Sequence, residues 1–113
     1  MAAEGITPVL PVDDLGMAVE FWSSTLGVAP TFVDGDRWAQ FDLGPRRLAL
    51  AGSDRLTDDP SVMIKVSDLD AARDQVSASG GSIGEIQIGP HERRFLARTP
   101  FGTIVFYSPT PAP

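Results

Sequence analysis

The chain has 113 residues, 42% hydrophobic and 21% charged, a size and composition suited to one small globular domain or two halves sharing a core. Nine basic against fifteen acidic residues leave a net charge of −6, which argues against a nucleic-acid or anionic-membrane surface, since both need a basic face. Cysteine is absent, so disulfides, thiolate metal sites and cysteine nucleophiles are excluded. No apolar run is long enough to span a membrane and no basic-then-apolar leader precedes one, so a cytoplasmic protein is expected.

In chain order, residues 6–12 form an apolar run of strand character. Asp14 then stands where a helix N-cap belongs, its carboxylate able to accept from free backbone N–H groups. Leu15, Ala18, Val19 and Trp22 follow at helical spacing, and Gly27 supplies a left-handed helix end. Strands are expected over 30–33, 37–43 and 46–51, separated by Asp34-Gly35-Asp36 and Leu43-Gly44-Pro45. A polar, turn-rich stretch over 53–60 reads as a linker. The order then repeats. A strand over 62–66 leads to the cap Asp68 and a helix carrying Leu69, Ala72, Arg73 and Val76, ended by Gly80-Gly81. Strands over 83–88, 93–98 and 103–107 follow, the last two joined by Thr99-Pro100-Phe101-Gly102. The proline-rich tail from Ser108 is expected to fray, because proline lacks the backbone donor.

The repetition is also visible in the residues. Val12-Asp13-Asp14-Leu15-Gly16-Met17-Ala18 returns as Val66-Ser67-Asp68-Leu69-Asp70-Ala71-Ala72, an offset of 54. The same offset carries Gly27 onto Gly81, Phe32 onto Ile86 and Phe41 onto Phe95. Each half is therefore β-α-β-β-β, with module one over 5–52, the linker over 53–60, module two over 61–108 and a disordered tail over 109–113.

The string Leu10-Pro11-Val12-Asp13-Asp14-Leu15, then Phe21-Trp22 and Leu26-Gly27, resembles the opening of the glyoxalase/bleomycin-resistance/dioxygenase (vicinal oxygen chelate) superfamily. The ending Thr99-Pro100-Phe101-Gly102-Thr103-Ile104-Val105-Phe106 resembles its closing hairpin, with Thr99 in place of an aspartate. The resemblance covers nearly the whole chain. It implies an α+β fold of two tandem βαβββ modules forming a curled mixed sheet around a cavity, and a homodimer meeting through the first strands of the modules.

The resemblance also implies four metal-ligand positions facing that cavity, usually His, Gln or Glu. Carried over, they fall on Thr7, Ser61 and Phe106, and in module one on a strand whose residues 46–51 include no His, Asp, Glu or Gln. Hydroxyls are poor ligands for Zn²⁺, Fe²⁺ or Mn²⁺, and a phenyl ring is none, so no metal and no cofactor are expected. The lone His91 lacks a partner at metal spacing, which leaves it a polar contact at the pocket mouth or a plain surface residue. Asp13-Asp14 and Asp58-Asp59 read as cap and solvated linker. Arg93-Arg94 reads as a strand-edge charge pair, with an anion contact as the minority reading.

Aromatic residues remain. Strand alternation separates Trp38 and Gln40 from Ala39 and Phe41, so only one of Trp38 and Phe41 can face a cavity; Trp38 is favoured for its polar neighbours. The expected ligand-binding set is Trp38, Phe106, Phe32, Phe95 and His91, with hydroxyls from Thr7 and Ser61. The expected function is metal-free sequestration of a hydrophobic or aromatic antibiotic or natural product, a cationic one included, in the manner of bleomycin-resistance proteins. The alternative is a metal-independent lyase or isomerase of secondary metabolism, with catalytic residues unassigned.

Overall fold

The computed structural model describes residues 2–109. Chain order is β1 (Gly5–Pro11), α1 (Leu15–Leu26), β2 (Phe32–Asp34), β3 (Trp38–Leu43), β4 (Arg46–Ala51), β5 (Ser61–Lys65), α2 (Leu69–Ala78), β6 (Ser82–Ile83), β7 (Gln87–Ile88), β8 (Glu92–Thr99) and β9 (Gly102–Pro109). This is β-α-β-β-β twice over, the third segment of the second module being broken in two. The chain divides into an N-terminal unit, Thr7–Pro60, and a C-terminal unit that joins the residues before Thr7 to those from Ser61 onward.

In the N-terminal unit the strand order is β2-β3-β4-β1, antiparallel except for the parallel β1–β4 pair. Asp14 caps α1: its Oδ1 accepts from the Met17 N–H at 3.0 Å. Gly27 ends that helix at φ 73°, a left-handed conformation that costs glycine little. Leu15 of α1 packs with Ala39, Phe41 and Leu50 into a core that Leu10, Trp22 and Leu48 border.

In the C-terminal unit the order is β5-β9-β8-β6, with β7 also on β8, and β5–β9 is the parallel pair. The Glu4 N–H donates to the Lys65 carbonyl at 2.8 Å, so β5 is flanked on both edges. Asp68 repeats the cap, accepting from the Ala71 N–H at 3.0 Å. Leu69, Ala72 and Val76 of α2 pack on Val66, Phe95, Ala97 and Phe106.

Three local expectations are corrected. The strand over 83–88 is interrupted at Gly84, whose N–H donates to the Leu96 carbonyl (2.8 Å) between two two-residue strands. The left-handed glycine after α2 is Gly80 (φ 83°), whereas Gly81 is needed for space: a Cβ there would lie 2.7 Å from Val76 Cγ1. The tail does not begin at Ser108, because Ser108 and Pro109 pair with Arg93 and Glu92 in β9. Proline is tolerated at the strand's last position, where a missing donor interrupts no further pairing; residues 110–113 lie outside the described ones. Among the described residues, no helix is long and apolar enough to cross a membrane.

Candidate functional site

Each strand shows alternate side chains to opposite faces, and each helix covers one face. The register therefore sorts the candidate residues. In the N-terminal unit, Phe41 and Ala39 are 0% exposed beneath α1, which places Trp38 and Gln40 on the other face of β3. Phe32 pairs with Gln40, and Asp34 with Trp38, so both join that face. Ala49 and Ala51 of β4 lie opposite Gln40 and Trp38. Trp38 is half-buried, and Phe32, on the edge strand, is 51% exposed. Thr7, on the same parity of β1 as Val9, is buried.

The electrostatics of this face are acidic and partly neutralised. Arg47 Nε donates to Asp42 Oδ1 at 2.7 Å and holds that carboxyl below its ordinary value. Arg37 Nε lies 3.3 Å from Asp34 Oδ2.

In the C-terminal unit two expected site residues belong to the core. Phe95 and Phe106 are register partners, stacked at 5.2 Å and 24°, and packed with the α2 residues Leu69, Ala72 and Val76. They face the helix, so neither lines a ligand face there. A one-residue difference in register inverts every side chain of a strand, and that is the size of the error: Val105 and Tyr107 stand on the other face of β9. Ser61, the counterpart of Thr7, is likewise buried. His91 is exposed in the tight turn between β7 and β8, closed by the Gly89 N–H donating to the Glu92 carbonyl at 2.8 Å.

Sequence reasoning missed Arg55. Its guanidinium donates to the carbonyls of Val12 (3.0 Å) and Gly52 (3.1 Å) and to the carboxylates of Asp58 (2.8 Å) and Asp13 (3.2 Å). The Asp58 hydrogen bond, followed by its charge and that of Asp13, raises the arginine's pKa further. Two carboxylates read as solvated or capping thus anchor the linker instead. Asp13, Asp36, Ser53, Arg55, Leu56, Thr57 and Asp58 line a polar cavity of about 480 Å³ in this unit, and none of the expected aromatic residues reaches it. Only the non-local fold brings Arg55 to Val12, so no sequence signal marks it.

No three His, Cys, Asp or Glu side chains gather into a possible metal site among the described residues. The donors that the first strands bring to the inherited positions do not fit such an ion: Thr7 and Ser61 offer neutral hydroxyls.

No family model matches the chain. An uncharacterized protein of Mycolicibacterium smegmatis is 38% identical over 111 residues, covering 89% of this chain and 90% of that one. Among solved structures, one described as an NAD-dependent benzaldehyde dehydrogenase from Legionella pneumophila superposes with a TM-score of 0.79 at 16% identity, covering 94% of this chain and 100% of that one. A Streptomyces coelicolor methylmalonyl-CoA epimerase variant in complex with 2-nitronate-propionyl-CoA gives 0.71 at 16% identity, covering 97% and 100%. A glyoxalase/bleomycin resistance protein/dioxygenase superfamily member from Vibrio splendidus gives 0.70 at 18% identity, covering 95% and 99%. At these identities the solved structures establish the fold.

Proposed function

From the premise that this chain belongs by fold to the glyoxalase/bleomycin resistance/dioxygenase superfamily, and by sequence to one family with the Mycolicibacterium smegmatis protein, we propose that it binds a small aromatic compound without a metal. The observation that carries this reading is the placement of Trp38. It is half-buried on the face of β3 opposite the Phe41 core, with the exposed Phe32 on the neighbouring strand of the same face. A rigid ring held by its strand loses little entropy on meeting a planar ligand, and stacking adds to apolar burial. Asp34 and Asp42 favour a cationic compound, modestly, because each is engaged by an arginine.

Binding is favoured over turnover for a chemical reason. On the Trp38 face the acidic groups are Asp34 and Asp42, and Arg47 holds Asp42 ionised, which makes it a weak general base at neutral pH. A lyase or isomerase would need a better-matched proton-transfer group at the ligand. The bound compound is of the antibiotic or natural-product type, and the protein acts by sequestration.

The protein is further proposed to work as a cytoplasmic homodimer. Met17 and Phe21, one turn apart on α1, are 68% and 60% exposed, and burial in a self-association surface would cover them. The edges of β5 are already flanked, so a partner would meet side chains and not a bare strand edge.

Tryptophan emission tests the ligand reading. Titration with 9-aminoacridine, a planar cation, quenches emission in the Trp22→Phe variant, where Trp38 alone reports. The Trp38→Phe variant, reporting through Trp22, shows little quenching. Quenching confined to Trp22 contradicts the site.

A further inference from the structure

Across the C-terminal unit, Lys65 pairs with Tyr107 and Tyr107 with Arg94, so the three stand in one row over β5, β9 and β8. Their face is the one away from α2, since the alternate residues Ile64, Phe106 and Phe95 pack on that helix. Strand spacing of about 4.8 Å sets the two cations about 10 Å apart at the backbone with the phenol midway, within reach of one oxyanion above Tyr107. The next row along, Met63, Val105 and Leu96, is apolar. A third row brings Arg98 beside Thr103. Among the described residues of β5, β8 and β9, three cations and one carboxylate, Glu92, thus occupy this face, in a chain whose net charge is −6. Asp70 and Asp74 are carried instead by α2, and Asp68 by its cap. Lys65 makes no ion pair among the described residues.

We propose that this face is a binding site for a small organic carboxylate, its acid head on the Lys65–Tyr107–Arg94 row and its apolar body over the half-buried Met63 and Leu96, which flank the buried Val105. Ammonium, guanidinium and phenol are all donors, and charge-assisted bonds to a carboxylate are the stronger kind. Successive rows lie about 6.6 Å apart, the distance from a carboxylate to the centre of a ring two or three carbons away. An uncharged analogue would leave the Lys65 ammonium without an ionic acceptor. The site lies in the other unit from Trp38 and does not depend on the Trp38 reading.

Calorimetric titration of the full chain with 3-phenylpropionate, and with its uncharged amide 3-phenylpropanamide, tests it. The acid binds and the amide binds about tenfold more weakly, the scale of one charge-assisted contact. Lys65→Gln and Arg94→Gln each weaken the acid about tenfold and leave the amide unchanged, while Lys65→Arg retains the acid. Arg73→Gln, which removes the same charge from α2, changes neither. Added salt weakens the acid alone. Equal affinity for acid and amide, no binding of the acid at millimolar concentration, or an equal loss in Arg73→Gln overturns the proposal. Thermal melts of each variant separate lost binding from lost folding.

Discussion

Phe41 and Phe95 stand at matching positions of the two units, and each is 0% exposed beneath its helix. Leu15 and Leu69 match in the same way, as do the caps Asp14 and Asp68. Across the strand the likeness ends. Opposite α1 the N-terminal unit carries Trp38, Phe32 and Gln40 with two aspartates; opposite α2 the C-terminal unit carries Lys65, Tyr107 and Arg94. Positions wedged against a helix are fixed by close packing, whereas positions on the other face can change without disturbing the core. Differing chemistry on a shared scaffold is therefore where binding is to be sought. The last strands differ too. The repeat offset carries Gly52 onto Phe106, and a Cβ on Gly52 would run into the Asp36 carbonyl oxygen; β4 ends at Ala51, whereas β9 continues to Pro109.

The likeness of the cores is the easiest part to break. Phe41→Ala and Phe95→Ala should each cost about 3–5 kcal/mol in denaturant unfolding, and similar losses are expected because both rings are fully buried. A loss confined to one would mean that the two cores are not equivalent. The Gly52→Ala substitution sharpens the contrast between the last strands. It should cost about 1–3 kcal/mol by forcing the backbone at Asp36 aside. Asp14→Ala and Asp68→Ala should each cost about 1 kcal/mol, measured the same way, since each removes one helix cap.

The smallest effect lies on the face that differs. Arg47 depresses the Asp42 carboxyl below its ordinary 3.8. A carboxyl with a lower pKa in the folded state contributes stability above its unfolded value, and that contribution fades as pH falls through the folded one. In Arg47→Gln the Asp42 titration, followed by NMR, should move up toward 3.8, and the acid limb of stability should flatten. An unmoved titration would assign the shift to another group.

The scaffold was legible because its signals are local: the two caps, the helical spacing after each, and a register kept over a 54-residue offset. Phe41 and Phe95 kept that register, and both proved to be core. The site was less legible, because a ligand position depends on which face a residue takes, and an error of one residue inverts the face. That is why Phe106 and Phe95 were expected at a cavity and lie under α2, whereas Trp38, assigned by alternation within its own strand, falls opposite Phe41. Arg55 was invisible because its partner carbonyl at Val12 is brought to it only by the fold. The Lys65, Tyr107 and Arg94 row was hidden likewise, as its members come from three strands that only the register aligns.

We propose above that the Trp38 face binds a planar aromatic compound without a metal. Calorimetric titration of 9-aminoacridine into the native protein, with and without a chelator, and into Trp38→Ala tests it most directly. One Kd is expected whether or not the chelator is present, with a weakening of about tenfold in Trp38→Ala, roughly 1–2 kcal/mol for a lost aromatic contact. Binding abolished by the chelator, or unchanged in Trp38→Ala, would contradict it.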